Sequence, residues 1–242
     1  MTNVPWRPGT VRRPTPTRPA RAPLTREQIV RAALRIVQTE GIDGVSMRRV
    51  AAEFETGPSS LYAHVTNKDE LLQLMFDEMC GMVPVPEVQP GRWKEQISEL
   101  ARAGHRVMIE HNDLARAALA TIPTGPNAMR ISNAMLGILL AAGIPPRQAG
   151  WAMDRIFLYI TADAYEHSIW LGEMPAEGSA KATYVETLIA EVAAHFERQP
   201  EDQYPHIRKY ARELTDGEPG ERFEFGLAML IDGLDKYIAE PR

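Results

Sequence analysis

Four short helices, each with its own start and stop signal, are crowded between Leu24 and Met79, and they constrain this chain more than any other feature. Thr25 and Gln28 form the capping-box pattern T-x-x-Q, in which two side chains satisfy backbone N–H groups left free at a helix start. Ile29, Ala32, Ala33, Ile36 and Val37 follow at the 3.6-residue period, and Gly41 ends the run. Ser46 caps a second helix predicted from Met47 to about Phe54, with Met47, Val50, Ala51 and Phe54 on one face. Glu55-Thr56-Gly57 breaks the pattern. A third helix is predicted from Pro58 to His64, beginning with a proline where a missing N–H costs nothing. After Thr66-Asn67 a fourth runs from Lys68 to about Met79, with Leu71, Leu72, Met75 and Met79 as its inner stripe. The tight connection between the second and third makes a helix-turn-helix frame.

Pro84, Pro86 and Pro90 close this head. Beyond Trp93 the pattern predicts further helices at about 93–111, 113–120, 127–142, 146–171, 181–197 and 220–239. Breakers separate them at Pro123–Pro126, Gly143–Pro146, Gly172–Gly178 and Pro200 to about Gly220. No internal repeat and no credible strand is present. The expected fold is all-α: a head at 24–80, its first three helices forming the helix-turn-helix unit, joined to a larger helical bundle at 91–242. Residues 1–23 hold six prolines and five arginines and no acid, which reads as a disordered arm. Its arginines fit either a solvated tail or contacts to phosphates and a minor groove.

Composition narrows the function classes. No apolar run approaches the roughly 18 residues of a membrane span, and the first 23 residues lack the apolar stretch of a signal peptide. Cys80 is the sole cysteine, so an internal disulfide or a Cys-rich zinc site is excluded and a cytoplasmic setting is expected. His105, His111 and His167 form no H-x-x-x-H or H-E-x-x-H pattern, so no metal and no cofactor is expected. There is no G-x-S-x-G, P-loop or dinucleotide-binding glycine run, and helical carboxylates such as Asp154, Asp163 and Glu166 are usually solvated or paired, so an enzyme is not expected.

Charge points to a polyanionic partner despite the formal net of −5. Residues 1–75 carry 11 basic and seven acidic side chains, against 16 and 25 in the remainder, a basic head on an acidic body. The third helix would present Ser59, Ser60, Tyr62 and His64 to a major groove, with Leu61 and Val65 turned inward against Val50 and Ala51. Arg48 and Arg49, on the helix that crosses the DNA backbone in such a frame, are candidate phosphate clamps, and Lys68 could reach the same strand. A plain solvated face for the arginines, and a half-buried aromatic for Tyr62, are the alternatives.

The segment LTREQIVRAALRIVQTEGIDGVSMRRVAAEFETGPSSLYAHVTNKDELLQLMFDEM, Leu24 to Met79, closely resembles the N-terminal domain of the TetR family of bacterial transcriptional regulators. The resemblance implies a homodimer that acts on double-stranded operator DNA and is released by a small-molecule effector held in the second domain. Carried over by position, it implies DNA contacts from Arg48, Thr56, Gly57, Pro58, Ser59, Ser60, Tyr62, His64 and Lys68. One departure stands out: the family usually has glycine where this chain has Glu55. Since a left-handed backbone would strain Glu55, the turn is expected to be reshaped, with Gly57 taking the special angles.

Arg222 to Asp235 resembles the last helix of the tetracycline-repressor branch, with Phe223, Leu227, Leu230, Ile231 and Leu234 recurring at three or four. Gly226 and Gly233 would let another helix come close. The resemblance implies a dimer interface built from the helices at about 146–171 and 220–239, the alternative being packing within one chain. The segments W-K-E-Q, A-T-I-P-T-G and A-G-I-P-P also align with that branch. Ala118 falls where a drug-site histidine would sit, and Leu100, Gly104 and Ala134 replace polar drug contacts, so a tetracycline sensor is not expected; only Glu166 matches an acidic metal-shell position. Trp151, Arg155, Leu158, Tyr159, Ala162 and Glu166 follow helical spacing as a candidate lining, faced by Met108, Ile131 and Met135. Such a lining suits a flat or multi-ring, largely apolar effector, although each residue also fits a plain core.

Overall fold

The computed structural model describes residues 23–111, 118, 123–173, 179–217 and 220–238, and side chains are not described at 170–173 and 179–183. The expected arginine arm and most of the helix expected at 113–120 lie outside the described residues. Among those described there is no strand, and no helix is long and apolar enough to cross a membrane.

Local signals set the head. Helix α1 (Arg26–Glu40) starts on the complete capping box, with the Gln28 N–H donating to Thr25 Oγ1 at 3.2 Å and the Thr25 N–H to Gln28 Oε1 at 3.0 Å. It stops at Gly41, whose φ of 73° suits glycine alone. Helix α2 (Met47–Ala52) is capped by Ser46, and α3 (Lys68–Gly81) by Asn67. Each such cap contributes about 1 kcal/mol.

Between α2 and α3 the structure corrects two expectations. The third helix is a single 3-10 turn, Pro58–Ser60, followed by looser turns through His64. Helical bonds reach only from the Tyr62 N–H to Pro58 O (3.3 Å) and the Val65 N–H to Leu61 O (2.9 Å). The second correction concerns the break. Glu55 itself takes the left-handed backbone, at φ 49°, whereas Gly57 is extended at φ −85°, ψ 160°. The turn keeps its shape and strains Glu55, because the Thr56 N–H still reaches back to Ala51 O at 3.2 Å.

The body consists of α4 (Trp93–Glu110), α5 (Pro126–Ala141), α6 (Pro146–Glu173), α7 (Ser179–Glu197), the short α8 (Pro205–Lys209) and α9 (Glu221–Asp232). Helix α8 falls where only a breaker was expected, because Pro205 supplies a ready first turn. The last helix is shorter than expected, ending at Asp232 before a separate 3-10 turn, Asp235–Tyr237. Helices α4, α5 and α6 pack on one another, and α9 lies across α4 and α6. Gly226 permits that crossing: a Cβ there would overlap the Tyr159 ring of α6. Helix α7 packs against α8.

Head and body share one core. Leu71 (0% exposed) belongs to the head, while Phe76, one turn on, meets Phe157 of α6 edge to face at 6.1 Å. Surface ion pairs add little beside this burial. The strain at Glu55 generates a prediction. Glu55→Gly should raise stability by up to about 1 kcal/mol, relief of the left-handed penalty being partly offset by glycine's unfolded-state entropy. Thermal unfolding should then shift upward by roughly 2–4 °C.

Candidate nucleic-acid interface and effector site

The reading turn is anchored from beneath and open above. Leu61 (0% exposed) and Val65 (1%) are sealed against the core that includes Val50 and Ala51, as their spacing predicts. Ser59, Ser60 and Tyr62 stand exposed, and His64 is half-buried. The Thr56 and Ser60 hydroxyls share a hydrogen bond of 2.8 Å, which braces the turn across Gly57 and Pro58. Lys68 is exposed at the start of α3. The hydroxyls, the Tyr62 ring and the Lys68 ammonium thus project from one short segment, suited to phosphate and base-edge contacts.

The two arginines of α2 do different things. Arg48 is exposed. Arg49 points about 100° away and is held by carboxylates: Nε and Nη2 donate to Glu40 Oε1 at 2.9 and 2.7 Å, and Nη1 donates to Glu53 Oε1 at 2.6 Å. These bonds raise the guanidinium further above its ordinary value and lower the Glu40 carboxyl. At Arg49, expected as a phosphate clamp, these bonds tie α2 to α1 in the structure without DNA. A residue that sequence reasoning missed supports the other end of the turn. Arg26 Nε donates to His64 O at 3.0 Å, and its guanidinium lies 3.6 Å from Glu70. Thirty-eight positions separate Arg26 from His64, so no local pattern carries that contact.

The expected effector lining divides in two. Leu100 (2% exposed), Met108 (6%) and Met135 (6%) are buried, and Ile131 is half-buried. Gly104 faces open space, since a Cβ there would meet nothing within 4 Å. The α6 residues lie mostly elsewhere. Trp151 is 62% exposed; Arg155 and Ala162 are also exposed, and Arg155 pairs with its neighbour Asp154 at 2.6 Å. Trp151, Arg155, Ala152, Ile156, Leu230 and Leu234 line a shallow depression of about 190 Å³ between α6 and the end of α9. A 3.6-residue period identifies a stripe without saying which side of the helix is buried, and here Trp151, Arg155 and Ala162 lie on the outer side. Leu158 is half-buried on the same helix. Tyr159 donates its hydroxyl to Phe223 O at 2.9 Å and stacks on the Phe223 ring, while Glu166 accepts from Arg222 at 2.6 Å; both residues tie α6 to α9.

His105 and Asp163, read singly from the sequence, form a 2.7 Å pair between α4 and α6, and the imidazole stacks on Phe223 at 3.8 Å. Arg102 grips Glu224 through two bonds of 2.8 and 2.7 Å, which keeps the Glu224 carboxyl low. Cys80 is buried, and burial pushes its thiol up to about 12.

Comparison with known proteins agrees with this geometry. Residues 29–75 match the family described as bacterial regulatory proteins, tetR family, and residues 85–238 match the tetracyclin repressor-like C-terminal domain. The HTH-type transcriptional repressor DrrR1 of Streptomyces coeruleorubidus is 31% identical over 232 residues, covering 94% of this chain and 84% of its own. The class C tetracycline repressor of Escherichia coli is 26% identical, covering 88% and 91%. Among solved structures, ActR of Streptomyces coelicolor in complex with actinorhodin superposes with a TM-score of 0.81 at 37% identity, covering 90% of this chain and all of that one. The chain belongs to the TetR family: it is a DNA-binding, ligand-responsive transcriptional regulator of a non-enzymatic family, with a tetracycline-repressor-like C-terminal domain.

Proposed function

We propose that the chain is a homodimeric repressor that leaves a palindromic operator when a flat, largely apolar, multi-ring effector other than tetracycline enters the body. The observation that carries the DNA half is the contrast within the reading turn. Leu61 and Val65 are sealed below, while Ser59, Ser60, Tyr62 and the neighbouring Arg48 are left exposed above. Two such turns, one per protomer, would enter successive major grooves about one helical turn apart.

The dimer reading rests on α6 and α9. Trp151 (62% exposed), Phe225 (69%) and Met229 (61%) project from these helices, and exposed large apolar side chains of this kind suit an association surface. A second copy is the occupant favoured, because a two-fold contact would bury the same stripe on both protomers. The effector reading rests on the buried, methionine-containing group Leu100, Met108 and Met135 beside the space at Gly104. That ActR, whose fold superposes closely on this one, is solved in complex with actinorhodin supports a small-molecule effector. Ala118 and Gly104 in place of polar groups disfavour tetracycline. The effector would act by binding one dimer shape more tightly than the DNA-bound one.

Three outcomes are expected. In gel shifts with a palindromic duplex obtained by selection, log affinity should fall with log salt by about 0.9 per phosphate neutralised. Arg48→Ala and Lys68→Ala should each lessen that slope by about 1, whereas Arg49→Ala should lower thermal stability; a flat salt response would sink the DNA reading. Phe225→Asp combined with Met229→Asp should sediment as a monomer and lose roughly 100-fold or more in affinity for the palindrome. With actinorhodin as the first probe, the operator should be released at concentrations where magnesium–tetracycline leaves it bound; release by tetracycline would overturn the effector assignment.

A further inference from the structure

Where α3 leaves the head and α5 begins in the body, each helix end is completed by a side chain of the other. Helix α5 has no capping side chain of its own, because Gly125 occupies the N-cap. Pro126 brings no N–H, so the first turn leaves the donors of Asn127 and Ala128 free before the regular bond from Met129 to Gly125 O. Both donate, at 3.0 Å, to Oδ1 of Asp77 on α3, and Asn127 Nδ2 donates to Oδ2 at 3.1 Å. In the other direction, Arg130 of α5 reaches the end of α3. Its Nη2 donates to Cys80 O at 3.2 Å and to Val83 O at 2.9 Å. A carboxylate thus meets the positive end of one helix and a guanidinium the negative end of the other.

The backbone is shaped to allow this approach. A Cβ on Gly125 would overlap the Asp77 carboxylate, and one on Gly81 would stand 3.3 Å from Asn127 Nδ2. Asp77 is only 8% exposed, so losing its partners would leave a buried charge unsatisfied. Apolar contacts tolerate sliding, but hydrogen bonds weaken over a few tenths of an ångström. The paired caps therefore fix the axial register of α5 against α3.

We propose that Asp77 and Arg130 are the positioning residues that couple the body to the reading turn. Ile131 and Met135 lie one and two turns beyond the cap on α5, and Lys68 begins α3 directly after the reading turn. A shift of α5 is thereby delivered to α3, a rod of roughly 20 Å that ends at the DNA face. The inference rests on the effector reading above only for what moves α5. The coupling itself is reciprocal, so operator DNA must also act on α5.

The test uses the full-length chain and the selected operator duplex, with amide exchange read at 131–141, where no N–H is bonded to Asp77. Saturating operator should slow exchange there at least threefold in the unsubstituted protein. Asp77→Ala and Gly125→Ala should still shift the operator but lose that response, and Asp77→Asn, which keeps an acceptor, should be intermediate. An unchanged response in both alanine variants, or none in the unsubstituted protein with operator bound, overturns the proposal. A second measurement stands without DNA: calorimetry should show one unfolding transition for the unsubstituted chain and two for Asp77→Ala with Arg130→Ala. A single transition in that pair also overturns it, whereas failure to bind any duplex overturns only the DNA reading.

Discussion

Everything else in this molecule depends on the burial of α3 in one core that spans head and body. Leu71 completes the small head, and Met75, Phe76 and Met79, all within 1% of full burial, belong to the core that continues into the body. A head of this size has little apolar surface of its own to remove from water, so it gains by sharing a helix with a larger neighbour. The same arrangement makes α3, among the described residues, a helix packed on both halves. Core-density packing on both sides keeps that helix from deforming, and the paired caps set where α5 grips it.

What the sequence disclosed, and what it withheld, follows from how far apart the interacting groups lie. The caps at Thr25, Ser46 and Asn67, the stop at Gly41 and the inward pair Leu61 and Val65 are local, and each is legible from neighbouring residues. The third helix shows where spacing misleads: its apolar residues recur helically, yet the backbone makes one 3-10 turn and then looser turns. Glu55 shows the limit of residue preference. A left-handed position normally taken by glycine is held by glutamate, because the bonds around the turn outweigh the local penalty.

Long-range pairings were not legible. Arg26 with His64, Arg49 with Glu40 and Asp77 with the start of α5 depend on the tertiary arrangement that brings them together. The same holds for the choice of helix face. On α6 the stripe through Trp151 and Arg155 has the right period for a lining, but both sides of that helix carry apolar residues, and only packing against α4 and α5 decides which is buried.

The carboxylates that hold Arg49 also change how the DNA face carries charge. Residues 24–75 contain six basic and seven acidic side chains, so the positive excess of the N-terminal region resides in the arginines before them. With Arg49 already matched by Glu40 and Glu53, the reading surface has little charge to attract arbitrary duplex. A genome presents millions of competing sites to any regulator, and most of their attraction is electrostatic. A head whose own charges nearly cancel leaves that general attraction to the arginines that precede it in the chain.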